Sequence, residues 1–235
     1  MKKILIGMLA ALSVSCANED DYTHEIPISK SAENELLSKK TVQVNPENPA
    51  NAYDIAGRIH NEILDAYLSC TISDSTINAV SSKIDSISYL NTDLQNLPSP
   101  AAPNFQKIQQ IVSSPQLQLE QILAGSPMSA AAKNSLYHFM SSVPAWQGYP
   151  YGDVHSQIIS FEAGIINNVQ FTAEEKRIIL TSSAIARHSL YFESERKDKD
   201  WETSVGNRAG AVQGALSNSA TAVASSLLAG ILSRN

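Results

Sequence analysis

All ten prolines of this chain lie at or before Pro150, which leaves residues 151–235 free to run as long helices. A proline inside a helix removes a backbone donor and clashes with the preceding turn. The chain is therefore cut into short elements in its first two thirds and left uncut in its last third. Within that last third, Val154, Ile158, Phe161 and Ile165 share a helical face, with Asp153 as the expected cap. Thr172-Ala173-Glu174-Glu175 is a capping box that opens a helix bearing Ile178, Ile185 and Phe192. That helix is expected to end in the charged run 193–200, and one further helix to cover residues 201–232.

The first part obeys the same period in shorter pieces. Ile55, Ile59, Ile63 and Tyr67 fall on one face, as do Ile77, Val80, Ile84 and Ile87. The proline-rich run 97–103 breaks the pattern, Asn104 reads as an N-cap, and Pro115 interrupts the stretch that follows. In Gly125-Ser126-Pro127 the glycine ends one helix, while the serine caps the next and the proline occupies its first turn. No segment alternates with period two for long enough to make a strand. The expectation is an all-α fold: a single helical-bundle-like domain of about six to eight helices over residues 53–235.

The N-terminal residues carry an address. Lys2 and Lys3 precede the apolar run 4–14, and the small residues Ser13 and Ser15 lead into Cys16. That is the plan of a secretory signal with an apolar core too short to span a bilayer. The run Leu12-Ser13-Val14-Ser15-Cys16 resembles the lipobox of bacterial lipoproteins, with Ser13 where that family usually places an apolar residue. The resemblance implies that Cys16 becomes the acylated first residue and anchors the protein to a membrane. The acidic patch Glu19-Asp20-Asp21 resembles the surface-export signal of Bacteroidota lipoproteins, which implies an outer-membrane, surface-exposed location. The stretch from Asn45 to Asn61 also resembles uncharacterised lipoproteins of that group, and brings no activity with it. Ser13 and Ser15 equally suit an ordinary signal peptidase. In that case the protein is secreted free, and Cys16 and Cys70 become available to pair. Residues 1–15 thus read as signal peptide and 16–52 as lipidated cysteine and disordered tether, polar and carrying Pro27, Pro46 and Pro49.

Composition excludes some partners. Without Lys2 and Lys3, the 17 basic side chains fall to 15 against 23 acidic ones, a net of −8. Nucleic acid, whose binding requires a basic surface, is excluded as a partner.

The candidate sites are few. Gly206, Gly210 and Gly214 recur every four residues in a stretch whose residues 209–233 hold no charged side chain. Glycine inside a helix costs about 1 kcal/mol relative to alanine. Three in register therefore point to a close helix–helix approach, in a central core helix or in a self-associating, membrane-active one. The polar residues from Gln213 to Ser226 make a lipid span expensive.

Trp146, Tyr149 and Tyr151 crowd one loop and form the candidate binding surface for a protein or glycan partner; the alternative is that they cover the end of a helical core. His155 with Glu162, and His188 with Glu195, each share a helical face. The Glu-x-x-His spacing of bundle metal sites is missing, so no metal or other cofactor is expected. His60 and Asn61 read as a hydrogen-bonded helix start. No nucleophile elbow, zinc-protease motif or phosphate loop is present, and no catalytic residue is named. The sequence points to a cell-envelope lipoprotein acting as a binding or interaction module. The glycine-helix reading is the alternative, and a histidine/carboxylate enzyme is the weaker one. Oligomeric state is left open.

Overall fold

The computed structural model describes residues 44–71, 74–146, 148–195 and 205–234. The expected signal peptide, Cys16 and most of the expected tether lie outside the described residues. Among those described, the chain is all helical, with no strand. The helices are α1 (Ile55–Leu68), α2 (Ile77–Ser88), α3 (Thr92–Gln95), α4 (Phe105–Ser113), α5 (Pro115–Gly125), α6 (Ala130–Ser142), α7 (Tyr151–Asn167), α8 (Ala173–Glu195), α9 (Val205–Ala215) and α10 (Ser219–Leu232). A 3-10 turn, Val143–Trp146, follows α6.

The centre of the domain is α8. Every residue from 178 to 190 is buried, because α1, α6, α7, α9 and α10 all pack against it. A helix covered on all sides is ordinarily apolar all round. This one instead buries Thr181, Ser182, Ser183, Arg187, His188 and Ser189 among its aliphatic residues. The expected inward residues Ile178 and Ile185 are both fully enclosed.

Local signals set many helix ends. Asn104 caps α4 by accepting from the Lys107 amide at 3.0 Å. The Thr172–Glu175 box forms in both directions: the Thr172 amide donates to Glu175 Oε2 at 2.8 Å, and the Glu175 amide donates to Thr172 Oγ1 at 3.2 Å. Glu175 Oε1 also accepts from the Ser129 amide at 2.6 Å. The Ser129 and Thr172 bonds together bring its carboxyl down to about 2.

The structure departs from the sequence expectation at four places. Ser129, not Ser126, caps α6; Ser126 Oγ instead donates to the Leu123 carbonyl and finishes α5, while Met128 turns into the core. Helix α7 begins behind Pro150, with Asp153 in its first turn rather than at its cap. The final helix is two, divided at Asn218, whose Oδ1 accepts from the Thr221 amide at 2.8 Å and starts α10 afresh. This break and the short α3 raise the count to ten helices among the described residues. Finally, residues 44–52 are packed rather than part of a tether, because Asn48 and Asn51 are buried against α7 and α8.

Candidate functional site

Four side chains from three places in the chain meet beneath the surface of the domain. Asp54 precedes α1, Glu162 stands on α7, and Arg187 and His188 are neighbours on α8. Arg187 is fully buried and reaches Glu162 through Nε to Oε1 and Nη2 to Oε2, both at 3.2 Å. Its Nη2 also donates to Asp54 Oδ1. Glu162, equally buried, accepts further bonds from Ser183 Oγ at 2.9 Å and Asn48 Nδ2 at 2.6 Å. Ser183 lies one turn before Arg187, so a single face of α8 supplies both. Tyr151 adds its hydroxyl to the Arg187 carbonyl at 3.3 Å. Burial raises the tyrosine's pKa.

His188 Nε2 lies 3.3 Å from Asp54 Oδ1. Burial opposes ionisation of Asp54, but the His188 hydrogen bond and the Arg187 charge outweigh it and hold the carboxyl below its usual range. An ionised Asp54 can only accept, so Nε2 carries the proton. The His188 ring sits where it does because residue 57 is glycine: a Cβ there would collide with His188 Cδ2 and with the Ala184 carbonyl.

A second chain of bonds fixes the same region from below. Asn61 Nδ2 donates to the His188 carbonyl at 2.6 Å, so its Oδ1 must face His60 Nδ1 at 3.1 Å. Nδ1 of His60 is therefore protonated, and Nε2 accepts from Asn207 Nδ2 at 3.1 Å. Complete burial brings the His60 pKa down to about 4, so the ring is neutral at pH 7.

Above this network lies an open cavity of about 490 Å³. Its walls include Glu47, Arg58, Asn61, Glu62, His188 and Tyr191. Arg58 is held by Glu62 Oε1 at 2.7 Å and by Asp93 Oδ2 at 2.8 Å, and Glu62 Oε2 accepts from Asn91 at 2.9 Å. Geometrically, the cavity can take a small ligand against a rigid, pre-bonded floor.

Of the residues singled out from sequence, the structure unites some and separates others. Glu162 and His188 come together, but through Arg187 and Asp54 rather than with their helical-face partners; His155 is half-buried and Glu195 exposed. The aromatic trio is dispersed. Trp146 packs edge-on to Phe139 at 5.8 Å, Tyr151 turns inward to Arg187, and Tyr149 alone is strongly exposed, at 64%. Gly206, Gly210 and Gly214 all face α10 of the same chain, and a Cβ at Gly210 would lie 2.5 Å from the Ser225 carbonyl. Among the described residues, no cluster of metal-ligating side chains forms and no helix is long and apolar enough to cross a membrane. Cys16 lies outside the described residues, and Cys70 is half-buried, its thiol 3.3 Å from the Ala66 carbonyl.

Glu47, Asp54, Arg58, Glu62, Arg187 and Tyr191 are site residues that sequence reading missed. The available signal was Arg187, a charge inside the small and apolar run 178–190. No family model matches this chain, and neither a curated protein nor a solved structure matches it.

Proposed function

We propose that this chain is a cell-envelope lipoprotein, anchored through acylated Cys16, whose helical domain is a small-ligand binding module. The address rests on Lys2-Lys3, the short apolar run, Ser13, Ser15 and Cys16, with the acidic patch beyond them. The observation that carries the binding role is the cavity over the Asp54–His188 pair. Its volume lies within the range of roughly 300–1,000 Å³ common to small-molecule sites. Its floor is already hydrogen-bonded, so a ligand would meet side chains whose ordering cost was met during folding. The exposed Tyr149 is left as a separate candidate contact for a larger partner.

Two measurements test the two halves of this reading. Intact mass of the protein isolated from its own membranes should give a chain starting at Cys16 with added acyl mass; an unmodified chain would remove the anchor. Ligand screening by amide NMR should move resonances of Asn61, Glu62 and His188 together. Perturbations confined to Tyr149 and its neighbours would instead move the binding role to that loop.

A further inference from the structure

Among the described residues, large apolar side chains stand exposed singly at Leu117, Tyr149 and Val169, and side by side at Tyr89 and Leu90, each 78% exposed. Scattered single residues are ordinary on a protein surface, whereas adjoining ones rimmed by polar groups mark an interaction site. Tyr89 and Leu90 follow α2 directly and are held still. Their amides and that of Asn91 donate to the carbonyls of Asp85, Ile87 and Ser88 at 2.9–3.0 Å. The Tyr89 carbonyl accepts from Gln95 Nε2. Asn91 is fixed twice, its Oδ1 by the Leu94 amide at 2.8 Å and its Nδ2 on Glu62 at 2.9 Å. Two apolar side chains thus project from a backbone that needs no further ordering to meet a partner.

The rim of this pair is acidic. Exposed Asp85 lies one turn before Tyr89 on the same face of α2, and Lys83, the only cation of that helix, is turned about 200° from Asp85. Beside Asn91, Glu62 and Asp93 share the single guanidinium of Arg58 at 2.7 and 2.8 Å. Three carboxylates thus stand against one cation.

We infer that Tyr89 and Leu90 form a docking ledge for a basic, apolar polypeptide. Apolar side chains of that segment enclose the pair, and its lysines or arginines answer Asp85, Glu62 and Asp93. A projecting pair, unlike a pocket, needs a partner large enough to surround it and exclude water. The surplus of negative charge selects a cationic segment and repels an anionic lipid surface. It also disfavours a second copy, because a two-fold interface would set the same acidic rim against itself. The exposed carboxylates steer the encounter, and the apolar pair holds the complex. The ledge adjoins the cavity at Glu62 and does not depend on the binding role proposed there.

The test uses the full mature chain and its Tyr89→Ser/Leu90→Ser variant, a change at exposed positions whose thermal unfolding should match the parent. A random peptide library displayed on phage is selected on the parent and counter-selected on the double variant. Enriched peptides should combine lysine or arginine with large apolar residues. Titrated by fluorescence anisotropy, they should bind the double variant at least about tenfold more weakly, the loss of an anchor. Asp85→Lys should weaken them about threefold, and added salt should weaken binding to the parent. Acidic or uncharged enriched peptides would overturn the partner chemistry. A selection that yields no peptide distinguishing the two proteins would overturn the ledge itself. A dimer of the parent in sedimentation that the double variant lacks would make a second copy the occupant. Binding to phosphatidylcholine vesicles that the double variant loses would make it a lipid surface, and either result overturns the inference.

Discussion

Arg187 and Arg208 are both buried to the last per cent or so, yet they are opposites electrostatically. Arg187 is paired with two carboxylates, whereas among the described residues Arg208 donates only to the Met140 carbonyl and meets no acid. Burial alone brings the Arg208 pKa down to about 10, so its charge opposes folding at neutral pH. Removing one member of a buried ion pair strands its partners, whereas removing an unpaired charge relieves the core. Arg187→Met should therefore cost about 3–5 kcal/mol in urea unfolding, and Arg208→Met should gain about 1–2 kcal/mol. Equal losses for the two would contradict this account. His60 yields a pH dependence of definite sign. Its folded pKa of about 4 lies below the unfolded value of 6.5, so as pH falls the unfolded chain takes up the proton first. Stability from this group is complete above pH 6.5 and is lost progressively down to pH 4, by about 3 kcal/mol in total. The depressed carboxyl of Glu175 acts lower, its contribution being lost as pH falls from 4.5 towards 2. His60→Gln should flatten the stability profile between pH 6.5 and 4.5, read from urea midpoints, and leave the steeper acid limb in place.

At the scale of elements, the glycines of α9 and the glycine of α7 do different things. A Cβ at Gly210 would lie 2.5 Å from the Ser225 carbonyl oxygen and 2.9 Å from its carbon, which are backbone atoms that cannot step aside. At Gly164, exposed in the last turn of α7, a Cβ meets nothing within 4 Å. Gly210→Ala should destabilise by about 1–3 kcal/mol through overpacking. Gly164→Ala should stabilise by up to about 1 kcal/mol through helix propensity. Thermal unfolding of the pair checks both, and a stable Gly210→Ala would mean that α9 and α10 slide freely.

Which elements were legible follows from the range of their signals. The stripes of α1 and α2, the Asn104 cap and the Thr172 box are encoded within a few neighbouring residues, and they appear where sequence puts them. The burial of α8 was not legible, because serine, threonine, arginine and histidine read as a solvated face until their partners arrive from α1 and α7. Asn218 escaped notice because no glycine or proline marks the turn. Its second bond, Nδ2 to the Ser99 carbonyl at 3.1 Å, comes from a segment far away in sequence. The Asp54–Arg187 contact likewise spans most of the domain and leaves no local trace.

For the molecule as a whole, the packed edge of the domain lies before the first helix. Asn48 Nδ2 bonds Glu162, and Asn51 Nδ2 bonds the Leu180 carbonyl at 3.1 Å. A chain begun at Tyr53 would leave the buried Glu162 with one acceptor site unanswered and uncover α8. It should be less stable by about 2–4 kcal/mol than a chain begun at Val44, which keeps both bonds. Chemical denaturation of the two truncations decides the matter, and equal midpoints would return residues 44–52 to the tether.

The first helix also packs directly against the last one described: α1 touches both α8 and α10. A core whose opening element needs its closing element cannot lock while a ribosome is still adding residues. The nascent chain stays threadable until α10 has been made, as the export proposed from the N-terminal residues would require.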